Sequence, residues 1–98
     1  MSETLQIEGI FMIQSELGLH ARPAGRFVAM AGSFQAEIQV ARGEEWVSGK
    51  SVLSLLSLAA GPGTKLRVRA VGPDARTAVE ALGRLLEEPE EPVPNRAP

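Results

Sequence analysis

The chain has 98 residues, 44% of them hydrophobic and 22% charged, and a net charge of −2; this is one ordinary domain, able to bury roughly 60–65% of the surface its unfolded form exposes. It contains no cysteine and a single histidine, which excludes disulfides, iron–sulfur clusters, cysteine nucleophiles and any multi-imidazole metal site within one chain. No metal or cofactor is expected, and the slight acidity argues against a nucleic-acid partner, which needs a basic face.

Leu5, Ile7, Phe11 and Ile13 fall on odd positions and predict a first strand over 5–13, interrupted by Gly9. Ala24, Phe27, Val28 and Ala31 then recur at i, i+3, i+4 and i+7, which predicts an amphipathic helix from about 20 to 31. Gly25 falls inside it, at a cost of about 0.5–1 kcal/mol relative to alanine. Phe34, Ala36, Ile38 and Val40 alternate in a second strand over 34–41, and Arg42-Gly43 reads as a hairpin turn into a third strand at Glu44-Glu45-Trp46-Val47. Val52, Leu55, Leu56 and Ala59 predict a short helix over 51–59, stopped by Gly61-Pro62-Gly63. Over 65–71, Leu66, Val68 and Ala70 alternate with Lys65, Arg67 and Arg69, a fourth strand with a basic solvent face. Asp74 is placed to cap a last helix striped by Ala78, Val79, Leu82, Leu85 and Leu86.

The order β-α-β-β-α-β-α favours a two-layer α+β domain, with helices covering one face of a mixed or antiparallel sheet. Residues 89–98 carry four prolines and one apolar side chain of any size, so the domain is expected over 1–88 and a disordered tail over 89–98. The longest apolar run, over 52–60, is far short of the about 20 residues that span a bilayer. The first residues lack a basic start and apolar core. A cytoplasmic monomer without membrane insertion is expected.

The segment Gly18-Leu19-His20-Ala21-Arg22-Pro23-Ala24 sets the histidine at a helix start. Such an end presents unpaired N–H groups and the positive pole of the dipole, which together bind phosphate-like anions. The same field disfavours an imidazolium, so a histidine there is expected to be held more readily in the neutral form, which is the nucleophilic one. Attack on a phosphoryl donor from there delivers the new dianion to amides that stabilise it, and Arg22 adds a planar, multi-donor cation. Pro23 fits the first turn, where its missing N–H costs nothing. By position alone, though, a lone histidine at such a junction is more often solvated or capping, and an arginine two residues on is more often a surface charge.

The segment 18–24 resembles the active-site signature of the HPr family, the histidine-containing phosphocarriers of the bacterial phosphoenolpyruvate-dependent sugar phosphotransferase system. Gly49-Lys50-Ser51-Val52-Leu53, followed by Ser54-Leu55-Leu56-Ser57-Leu58, resembles that family's regulatory serine segment. The likeness covers about residues 5–88. It implies an open-faced sandwich: a four-stranded antiparallel sheet of order 1-4-2-3 with three helices on one face. It further implies that His20 accepts a phosphoryl group on Nδ1 from enzyme I and passes it to sugar-specific enzyme IIA components, with Arg22 assisting.

The resemblance makes Ser51 the target of a serine kinase and phosphorylase found in some bacteria. From position alone it is a helix N-cap, typically contributing about 1 kcal/mol. The short helix is apolar nearly all round, more than one buried stripe requires. Resemblance points to Val52, Leu53 and Leu56 as a docking patch beside His20, with Arg22 and Arg26 as its basic rim. Two other classes stay open: a regulatory binding module of this fold, controlled at the serine and without a transport role, and a stand-alone enzyme. The enzyme needs a second acid–base group near His20, and none is evident, since Glu44-Glu45 and the terminal glutamates lie far off in sequence. A carrier rather than an enzyme is expected.

Overall fold

The computed structural model describes residues 5–89. Its elements run β1 (Gln6–Met12), α1 (Ala21–Ala31), β2 (Glu37–Arg42), β3 (Glu45–Ser48), α2 (Val52–Ser57), β4 (Lys65–Val71) and α3 (Ala75–Leu86). The predicted tail, 89–98, lies outside the described residues except for Pro89.

Every strand pairing is antiparallel and the sheet order is β1-β4-β2-β3. The inward residues of β4 and β2, Leu66, Val68, Ala70, Ile38 and Val40, are buried beneath the helices with Phe27 of α1, Leu55 of α2 and Leu82 of α3. The expected four-stranded, three-helix, two-layer architecture is the one observed. Gly9, which interrupts the first strand, has a packing reason. The Phe11 ring fills the space over Gly9 and over Gly83 of α3, and a β-carbon on either glycine would run into it. The strand and the helix thus close over one aromatic ring.

The helix-free face is less solvated than the alternation of β4 suggests. Ala41 lies on that face yet is fully buried, because its cross-strand partners are Trp46 and Arg67. The guanidinium groups of Arg69 and Arg67 stand 3.9 and 4.8 Å from the Trp46 ring centroid, and Arg69 also donates to Gln39 Oε1 at 2.7 Å. The predicted basic solvent face is a cation–π roof whose stems cover the alanine.

Several local details differ from the sequence reading. The second strand starts at Glu37 rather than at 34, because the Asp74 carboxylate accepts the N–H groups of Gln35 at 2.8 Å and Ala36 at 2.9 Å, removing both from the ladder. Asp74 is accordingly the N-cap residue of α3 by position, but its side chain makes no bond to that helix. Those backbone donors, Gln35 first, hold its carboxyl below the usual carboxylate range. The hairpin turn is Gly43-Glu44, with Gly43 at φ +64°, so Arg42 belongs to β2 and the loop has glycine first. Finally α2 stops at Ser57, before the glycines, because Ala59 takes a left-handed φ of +50°.

Candidate phosphoryl-transfer site

The link between β1 and α1 is drawn tight by its own backbone. Gly18 N–H donates to Ser15 O at 3.0 Å, and His20 N–H donates to Gly18 O at 3.0 Å. Gly18 holds φ +73°, a value open to glycine at little cost. Leu19 is buried, and its N–H donates to Ala60 O at 2.8 Å. This segment therefore leans on the loop between α2 and β4, to which Ile13 is also bonded on both sides, through Thr64 O and Gly63 N–H.

His20 is the N-cap of α1, in extended conformation, and its side chain makes no bond to the helix end. The Ala24 N–H goes to His20 O at 3.0 Å and Pro23 has no N–H, which leaves the amides of Ala21 and Arg22 directed off the end of the helix. No acidic residue stands in the first turn to compete for an anion there. The imidazole is half-buried and its Nε2 is shut off from solvent. Arg22 is exposed in the same turn. Arg26, one turn further on, is also exposed and pairs with Glu88 at 3.2 Å.

Ser51 caps α2: its Oγ accepts the Ser54 N–H at 3.1 Å. Helix α2 packs against α1, but it meets the His20 loop through Ala60, beyond its C-terminal end. Ser51 therefore lies at the far end of a six-residue helix, about 9 Å along its axis. Of the three apolar residues expected to form a docking patch, Leu53 is 80% exposed, whereas Val52 and Leu56 are half-buried and packed on the core. The fully buried form of this helix is thereby ruled out. Leu17, in the His20 loop, is 68% exposed and was not singled out from sequence. Its one signal there is a large apolar residue inside a turn between Glu16 and Gly18. Among the described residues no group of three or more His, Cys, Asp or Glu side chains clusters as a metal site, and no helix is long and apolar enough to cross a membrane.

A family model described as the PTS HPr component phosphorylation site matches residues 7–88. The chain belongs to the HPr family. It is 41% identical over 75 residues to the phosphocarrier protein HPr of Pseudomonas aeruginosa, a match that covers 76% of this chain and 83% of that one. It is 36% identical over 84 residues to the multiphosphoryl transfer protein of Haemophilus influenzae, across 83% of this chain and 17% of that larger one. A crystal structure of an HPr from Bacillus anthracis superposes with a TM-score of 0.80 at 33% identity, covering 84% of this chain and 98% of the other. Membership in HPr gives the class of function: a phosphocarrier of the phosphotransferase system.

Proposed function

We propose that His20 takes a phosphoryl group onto Nδ1 from enzyme I and passes it on to sugar-specific enzyme IIA components. The observation that carries the reading is the placement of His20 at the N-cap of α1, with Nε2 shut off from solvent and no acidic residue in the first turn of the helix. The Nδ1 lone pair forms the N–P bond as the donor's bond to phosphorus breaks, and its electrons leave with the donor. The transferred group then meets the amides of Ala21 and Arg22 and the guanidinium of Arg22, which offset its charge. Delivery to the next protein reverses these events. The chain carries the group and returns unchanged, so it acts as a carrier and not as a stand-alone enzyme.

Leu53 and Leu17 supply exposed apolar surface for docking, Val52 and Leu56 extend it from beneath, and Arg26, paired with Glu88, serves as basic rim where a partner's acid takes the place of that glutamate. Ser51 serves as cap and as a site for a serine kinase. A phosphate there adds about −1.5 to −2 charge at a helix N-terminus, where the dipole accepts it, and beside Leu53, where it opposes an acidic partner.

Incubation with purified enzyme I and labelled phosphoenolpyruvate tests the reading. The parent takes up acid-labile label and His20→Ala takes up none. Arg22→Lys keeps the fold but transfers more slowly, since a point charge replaces a planar fork. Label surviving the histidine substitution overturns the assignment.

A further inference from the structure

Arg42 ends β2 and plays no part in the chemistry above, yet it grips the loop on which the His20 segment rests. Its Nη1 donates to Leu58 O at 3.0 Å and to Ala59 O at 2.8 Å. These carbonyls follow the last turn of α2, where helix geometry provides no partner, and a cation is favoured at that pole of the dipole.

The segment being held does not hold itself. Ala59 is the one non-glycine residue at positive φ among the described residues, a conformation unfavourable for an alanine that persists where its surroundings impose it. Directly after it, Ala60 O receives the Leu19 N–H at 2.8 Å. The fit at this junction is tight, since a β-carbon on Gly18 would lie 2.5 Å from that same oxygen. The connection therefore runs from the Arg42 guanidinium to the carbonyls of Leu58 and Ala59, through one peptide to Ala60 O, and across one hydrogen bond to Leu19, the residue before His20.

We propose that Arg42 is a positioning residue for phosphoryl transfer: by clamping the end of α2 it fixes Ala60 O, and through Leu19 the placement of the His20 ring. The rate arm of its test rests on the phosphocarrier reading; the spectroscopic arm does not.

The test compares Arg42→Ala and Arg42→Lys with the parent below the melting temperature of all three. In Arg42→Ala the Leu19 amide and His20 ring resonances shift while the α3 amides keep their positions. Phosphorylation of His20 by enzyme I slows by about tenfold or more, within the about 100-fold that a 1 Å misplacement can cost. Because one nitrogen serves both carbonyls, an ammonium can do the same, and Arg42→Lys recovers both the resonances and most of the rate. If Arg42→Ala fails to fold, Arg42→Gln, which keeps a donor without the charge, is read in the same way. Unmoved Leu19 and His20 resonances, or transfer at the parent rate, overturn the proposal. A parent that takes no phosphoryl group overturns the phosphocarrier reading instead, and the resonances still decide the role of Arg42.

Discussion

Gly18 lies so close to Ala60 that a β-carbon on it would sit 2.5 Å from the Ala60 carbonyl oxygen. The contact seats the histidine segment on the loop after α2, and it combines with a left-handed φ of +73°. Gly18→Ala is therefore expected to lose about 2 kcal/mol or more of stability and to slow phosphorylation of His20 even where it is folded. Denaturant midpoints and enzyme I assays check both; a variant as stable as the parent shows that the loop yields freely.

The other glycine near the site behaves in the opposite way. Nothing lies within 4 Å of a β-carbon built on Gly25, which sits in the middle of α1 at a helical φ. Gly25→Ala is expected to raise stability by about 0.5–1 kcal/mol, through a higher helix propensity and a less flexible unfolded chain. Chemical denaturation measures it, and a loss of stability contradicts the open space seen there.

At Ser51, alanine removes the bond to the Ser54 N–H and is expected to cost about 1 kcal/mol with little change in transfer. Aspartate keeps a capping oxygen and adds a charge the dipole favours, so Ser51→Asp holds its melting temperature while enzyme I affinity falls. Tight binding by Ser51→Asp places the serine outside the interface and leaves it the capping role alone.

Asp74 makes stability depend on pH in a defined direction. Its carboxyl is held below the ordinary range by the N–H groups of Gln35 and Ala36, so the folded state favours the ionised form. That contribution is fully present above the unfolded-state value, about 3.9, and is lost as pH falls through the lower folded-state value. The stability gap between the parent and Asp74→Asn is expected to be constant from about pH 6 to 8 and to shrink once pH drops below about 4. A gap that persists unchanged into acid shows that the carboxylate's charge is not what holds the turn.

What was legible in the sequence was what is local. The β4 strand reads directly from its alternation, His20 and Arg22 stand in one short segment with a helix start written around them, and Ser51 precedes an apolar run as a cap should. The contacts that escaped are those joining residues far apart in the chain. Asp74 has the identity and position of a helix cap, but its carboxylate goes to amides 38 and 39 residues earlier. Arg42 reads as a turn residue because nothing nearby reveals the carbonyls 16 and 17 residues on. Gly9 looks like a flaw in a strand until Phe11 and Gly83 are brought together. Periodicity and propensity record a residue's neighbours in sequence, and these roles belong to neighbours in space.

Transfer through Nδ1 of His20 is read directly by nitrogen-15 and phosphorus-31 spectroscopy of the protein labelled in its single histidine and phosphorylated by enzyme I and phosphoenolpyruvate. One phosphorus coupled to Nδ1 and none coupled to Nε2 is expected. Phosphorus coupled to Nε2, or a phosphorus signal coupled to neither ring nitrogen, contradicts that assignment.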